Sequence, residues 1–144
     1  MDFDISTPVD IKKATETLCG SPSMFYTMLS KFEDMTFLNL MELIAEDVDN
    51  GDMEKYMLDA HQLKSPAGYI GASHLHYACY FVQEHHAYKR YKDMMEYYPT
   101  LVEAAVEFRI YSRILLARNQ GNLIFHYRLS CYEKSPPVFI GMTY

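Results

Sequence analysis

The sequence predicts an all-α protein built as an antiparallel helical bundle. Three observations carry that expectation. Apolar residues recur with the 3.6-residue helical period from about residue 22 to residue 118. Capping and breaking residues fall between these periodic runs. The connections between the later runs are short, which makes sequential helices antiparallel neighbours.

The elements follow in order. Residues 1–8 read as a loose lead-in, and Thr7-Pro8 opens a short helix that runs to about Leu18 and stops at Gly20. Ser21-Pro22 repeats the start signal, with Ser as N-cap and Pro at the first helical position. Phe25, Met28, Leu29 and Phe32 then fall at i, i+3, i+4 and i+7, one helix face over 22–32. A second run over 36–49 carries Phe37, Leu40, Met41, Ile44, Ala45 and Val48; the two runs form either one bent helix or two. Asn50-Gly51 marks a turn, and Asp52 caps a helix over 52–68 with Met53, Tyr56, Met57, Ala60, Leu63 and Ala67 on its inner side. Gly68 and Gly71 break it. Ser73 caps the next helix, over 73–88, whose core stripe is Leu75, Ala78, Cys79 and Val82. A last helical region spans 91–118, interrupted or begun afresh at Pro99, with Leu101, Ala105, Phe108 and Leu115 inward.

Residues 122–144 differ from the rest. Leu123, Phe125, Tyr127, Leu129 and Cys131 alternate with more polar residues, apart from Ile124, and Val138–Tyr144 follows Ser135-Pro136-Pro137. The pattern fits a C-terminal β-hairpin or an irregular apolar tail. The expected division is therefore a helical unit over 1–121 and an apolar extension over 122–144.

Composition narrows the function. At 144 residues the chain is one domain's worth, long enough for a core without disulfide staples. A net charge of −6 with no Lys/Arg cluster argues against a nucleic-acid partner. Cys19, Cys79 and Cys131 are scattered and odd in number, as expected of reduced thiols in a cytosolic compartment, and no pair has zinc-ligand spacing. The acidic start Met1-Asp2-Phe3-Asp4 is unlike a signal peptide, and no apolar stretch approaches the ~20 residues of a membrane span. The expectation is a protein of the cytoplasm, the nucleus being a second compartment open to it.

The chemistry gathers in Asp59-Ala60-His61-Gln62-Leu63-Lys64-Ser65-Pro66-Ala67-Gly68. On a helix, His61, Lys64, Ser65 and Gly68 form one stripe, while Ala60, Leu63 and Ala67 form the adjacent stripe that faces the core. His61 therefore stands outside the core with a cation one turn away. A neutral imidazole nitrogen is a nucleophile near neutral pH, where free imidazole is mostly unprotonated. Lys64 offsets phosphoryl charge. Gln62, Ser65 and Gly68 make a docking surface of small or polar groups for a partner's active site. Phosphoryl transfer depends on position and charge neutralisation, so a site this simple suffices.

These residues resemble the motif of the histidine-containing phosphotransfer (HPt) family. The matches are Ala60, His61, Leu63 and Lys64, then Gly71 and Ala72, then Leu75 and Cys79 on the following helix. Gln83, one turn beyond Cys79, falls where family members often place a polar residue near the phosphohistidine. The resemblance covers about residues 20–115 and leaves the tail outside it. It implies a four-helix bundle, here with an extra N-terminal helix, that displays the phosphorylatable His61. It implies a phosphocarrier in a multistep phosphorelay, not an enzyme. The chain would bind no cofactor itself; the receiver domains of response regulators and hybrid histidine kinases would be its partners and bring the aspartate and Mg²⁺.

Two residues depart from the family pattern. Ser65 stands where Gly is usual, and Pro66 follows, removing the N–H that would bond the Gln62 carbonyl. The helix is expected to survive through Lys64 and loosen near Pro66. The departures keep a second function open, an HPt-like module that docks receivers without efficient transfer. Cys79 reads as a small core residue. His74, His76, His85 and His86 lack the i, i+4 pairing of a metal site and read as a solvated face. Tyr80 and Tyr88, off the apolar stripe, are candidates for a docking surface. A monomer is expected, with a tail-mediated dimer as the other arrangement.

Overall fold

The computed structural model describes residues 3–18 and 21–119, and these are all-helical, with no strand among them. The elements are α1 (Ile11–Thr17), α2 (Pro22–Lys31), a π-helical segment (Phe32–Phe37), α3 (Leu38–Asp49), α4 (Met53–Tyr69), α5 (Ser73–Ala87) and α6 (Tyr91–Asn119). The expected division at residue 121, the 122–144 extension with its β-hairpin or apolar tail, and the Gly20 stop all concern residues outside those described.

The N-terminus is the first correction. The segment from Phe3 to Asp10 is not a loose lead-in: Phe3 and Val9 are buried. Thr7-Pro8 does not open α1; Asp10 does, its carboxylate accepting the Lys13 N–H at 3.1 Å. The Asp10 N–H donates to the Gly71 carbonyl at 2.7 Å, and Ser73 Oγ donates to the Thr7 carbonyl at 3.0 Å. Ser73, expected as the cap of α5, is thus its first residue, buried and committed to the N-terminal segment, with Ala72 in the cap position.

The runs at 22–32 and 36–49 are joined by helix. Ser21 caps α2 by accepting the Met24 N–H at 3.2 Å, with Pro22 in the first turn. Phe32 and Phe37 are five residues apart, and on an α-helix at about 100° per residue they would diverge by about 140°. The wider π turn brings both inward. Their ring centroids lie 6.0 Å apart, and each meets Phe108 of α6, at 5.5 and 5.0 Å. The same segment buries Glu33, whose carboxylate accepts from Ser112 Oγ at 3.2 Å and Arg113 Nε at 3.1 Å and pairs with Arg109 at 3.3 Å.

The turns after α3, α4 and α5 share one geometry. After α3, Gly51 N–H bonds Val48 O and Asp52 N–H bonds Asp47 O; after α4, Gly71 N–H bonds Gly68 O and Ala72 N–H bonds Ala67 O; after α5, Lys89 N–H bonds His86 O and Arg90 N–H bonds His85 O. These are Schellman caps, which need a left-handed residue just past the helix. Gly51, Gly71 and Lys89 supply it, at φ of 67°, 74° and 57°. At Gly71 glycine is also required by space, because a Cβ would lie 2.4 Å from the Asp10 carbonyl oxygen.

Through these turns α4 packs against α3 and α5, and α5 packs against α6. The predicted stripes face inward: Tyr56, Ala60, Leu63 and Ala67 from α4, Leu75, Ala78, Cys79 and Val82 from α5, and Leu101, Ala105 and Phe108 from α6 are all buried. Neither internal proline breaks its helix. Pro99 and Met95 are exposed, so the carbonyl that Pro99 leaves without an N–H can take water, and α6 continues unbroken. Pro66 sits three residues from the end of α4, beside the exposed Gln62, and the helix runs on to Tyr69 instead of loosening.

One polar contact inside the fold has a pH signature. Asp47 of α3 and Asp59 of α4 are both buried. Burial, a hydrogen bond to Asp59 and the charge of Asp59 push the Asp47 carboxyl up to about 7, against a weak opposing pull from the half-exposed Lys55 ammonium at 3.8 Å. A carboxyl raised in the folded state stabilises the fold fully below its unfolded value near 3.8 and loses that contribution as the pH rises through about 7. Urea unfolding of the native chain should therefore weaken between about pH 4 and 7 more than that of Asp47→Asn, which should be the more stable of the two at pH 8. Parallel pH profiles would exclude the buried pair as a titrating site.

Candidate functional site

His61 sits on the outer face of α4, because the inner face is taken by Tyr56, Ala60, Leu63 and Ala67. Its neighbour across the helix pair is Gln83 of α5, which projects beside the buried Val82 and Cys79 and is itself half-buried. Gln83 Nε2 lies 2.6 Å from His61 Nδ1. In that orientation the amide donates to Nδ1 and the ring proton is on Nε2. Turned about its last torsion, the amide presents Oε1 to an Nδ1–H and leaves the Nε2 lone pair free, pointing away from Gln83. Gln83 therefore anchors one ring nitrogen and frees the other for chemistry, and its two-faced amide matches either tautomer.

Lys64, one turn on, is half-buried. Its ammonium lies 5.7 Å from the centre of the Tyr80 ring, within cation–π range. Its backbone carbonyl accepts a hydrogen bond from His76 Nδ1 at 2.9 Å. Burial pushes His76 below the usual imidazole range, so its neutral form supplies the Nδ1–H donor. His61, Lys64 and Gln83, three residues singled out from the sequence, are thus brought to one place.

The residues expected to form a docking surface divide. Gln62 and Ser65 are exposed on the His61 face, as expected. Gly68 is a correction. It is buried beneath the His76 ring, and a Cβ there would meet His76 Nδ1 at 3.0 Å. Its small size admits a neighbouring helix and does not flatten a docking surface. The open face instead carries apolar groups, with Leu58 one turn before His61 and Tyr69 one turn after Ser65, both about half exposed. Helical spacing from His61 could have found them.

The histidines of α5 are a second correction. They are not a solvated row. His74 bridges Glu107 of α6 at 2.5 Å and the Ile5 carbonyl at 2.6 Å, His76 holds Lys64, and His86 pairs with Glu54 of α4 at 2.8 Å. His85 packs against the Tyr97 ring at 5.6 Å. Each ties α5 to a neighbour. Among the described residues no group of three or more His, Cys, Asp or Glu could hold a metal ion, and no helix is long and apolar enough to cross a membrane.

Sequence reasoning did not connect Tyr80 to Lys64. The available sign was spacing: Tyr80 is three residues before Gln83 and four after His76, so all three share one face of α5. No family model, curated protein or solved structure matches this chain.

Cys79 lies directly behind this face, fully buried, and burial pushes its thiol up to about 12. The thiolate is the reactive form. In the native chain at pH 8 an alkylating reagent should therefore leave the Cys79 peptide unlabelled by mass spectrometry, and urea should expose it. Rapid native labelling would place Cys79 at the surface.

Proposed function

We propose that the chain is a histidine phosphotransfer protein, a carrier that takes a phosphoryl group on His61 from one receiver-domain aspartate and gives it to another. In this reading α3 to α6 make the antiparallel four-helix bundle of the HPt family, with α1 and α2 added before it. The observation that carries it is the exposed His61 held at Nδ1 by Gln83 at 2.6 Å, with Lys64 one turn away. The motif resemblance over Ala60–Lys64, Gly71–Ala72, Leu75 and Cys79 supports it independently.

The transfer step balances on this chain's own groups. The reactive tautomer carries its proton on Nδ1, hydrogen-bonded to Gln83 Oε1. The Nε2 lone pair forms the N–P bond as the aspartyl O–P bond breaks, and that bonding pair leaves on the aspartate carboxylate. The Nδ1 proton stays in place. Lys64 balances the charge on the phosphoryl oxygens. The receiver contributes the aspartate and the Mg²⁺ that family resemblance implies. Leu58, Gln62, Ser65 and Tyr69 surround His61 as a face for the receiver to cover.

Incubation with a phosphorylated receiver domain should leave an acid-labile, base-stable label on the native chain, with phosphorus on Nε2 by NMR. His61→Gln should abolish the label and keep the helical far-UV spectrum. Lys64→Ala should slow labelling by about ten- to a hundredfold, roughly 1.4–2.7 kcal/mol of barrier. A native chain that binds receivers and takes no phosphate is instead the docking module that Ser65 and Pro66 kept open.

A further inference from the structure

Lys64 is held at both ends by one stripe of α5. His76 Nδ1 donates to its carbonyl at 2.9 Å, and the Tyr80 ring lies 5.7 Å from its ammonium. Gln83, next along the same stripe, contacts His61 at 2.6 Å. Read along α5 as His76, Tyr80 and Gln83, the contacts run backwards along α4 from Lys64 to His61. The ring of Tyr80 is itself steadied, meeting Phe81 edge-on at 5.4 Å, and remains 44% exposed at the mouth of the site.

The chemistry of that contact matters. An ammonium paired with a carboxylate would have to give up a strong partner before it could meet phosphoryl oxygens, and the carboxylate would repel them. An aromatic face attracts a cation through its quadrupole, limits the sweep of a long flexible side chain, and adds no negative charge. Holding Lys64 beforehand lowers the ordering cost when the phosphoryl group arrives.

We propose that Tyr80 is a positioning residue, whose ring parks the Lys64 ammonium beside His61 for use on the phosphoryl group. The proposal deepens the phosphocarrier reading and rests on it. In this role Tyr80 acts through Lys64, whose ammonium lies over its ring. A tyrosine serving only as a contact for the receiver would act without Lys64, and this difference is measurable.

The test uses the full chain with phosphoramidate as donor, which removes receiver docking from the measurement. Labelling of His61 should be about three- to tenfold slower in Tyr80→Leu, while Tyr80→Phe, which keeps the ring, should retain the native rate within about twofold. In a Lys64→Ala background, Tyr80→Leu should cost nothing further, because coupled residues are not additive. An independent reading comes from proton NMR: the Lys64 ε-methylene should be shifted upfield by the ring in the native chain and in Tyr80→Phe, and should lose that shift in Tyr80→Leu. The proposal is overturned if the native chain labels but shows no ring shift, if Tyr80→Leu labels at the native rate, or if Tyr80→Leu slows the Lys64→Ala chain by the same factor as the native one. No label on the native chain from either phosphoramidate or a phosphorylated receiver would overturn the phosphocarrier reading and this role for Tyr80 with it.

Discussion

The register of α5 on α4 governs the site, and the turn at Gly71 sets that register. Two backbone bonds close the turn, Gly71 N–H to Gly68 O and Ala72 N–H to Ala67 O. They reverse the chain within a few residues and leave no slack for α5 to slide. Gly71 is confined twice, by its φ of 74° and by the Asp10 carbonyl that occupies the space of a Cβ. The N-terminal segment lies across the turn and is bonded to it through Asp10 and Ser73. With the register fixed there, the spacing of helical turns carries His76 to Lys64, Tyr80 to the Lys64 ammonium and Gln83 to His61. A shift of one residue would turn Gln83 away from the imidazole by about 100°.

Around this pair the core is apolar, but the contacts that choose one packing over another are polar. Glu33 is buried in the π segment and takes donors from Ser112 and Arg113 while pairing with Arg109, which fixes where α6 crosses the first helices. Buried charged groups add little net stability, but a wrong alignment would strand them unpaired. Asp47 and Asp59 do the same between α3 and α4, with the Asp47 carboxyl raised by burial and by its neighbour. Asp59 is two residues before His61, so the alignment of α3 on α4 reaches the helix that carries His61 directly. His74 and His86 extend the pattern outward, to Glu107 and Glu54. The helices are therefore aligned by specific pairs on several faces, and His61 is presented from a fixed support.

The face that His61 occupies is regular and partly apolar. Its helix stays regular to Tyr69 despite Pro66, because the proline is three residues from the helix end and the carbonyl it leaves open belongs to the exposed Gln62. Leu58 and Tyr69 put apolar surface on either side of the imidazole, and Ser65 places a small polar group between them. That face sets exposed apolar surface around an exposed imidazole.

Much of this was legible in the sequence, for a local reason. Helix starts and stops are decided by neighbours in the chain: Ser21 capping Met24, Asp52 capping Lys55, and the glycines past α3 and α4. Burial follows from period, so the inward placing of Ala60, Leu63 and Ala67, and the outward placing of His61 and Lys64, could be read from spacing alone. What spacing could not reach was any contact between elements. The π turn exists because Phe32 and Phe37 both find Phe108, more than seventy residues on. The α5 histidines look like surface residues until their acceptors on the N-terminal segment, α4 and α6 are known. Gly68 looks like open ground until the His76 ring lies over it, and Tyr80 looks like docking surface alone until the Lys64 ammonium is found above its face. Sequence determined the apolar stripes that face inward and the caps made by neighbours along the chain; only the tertiary structure decided which outward groups meet, because those meetings depend on register between helices and not on order along one.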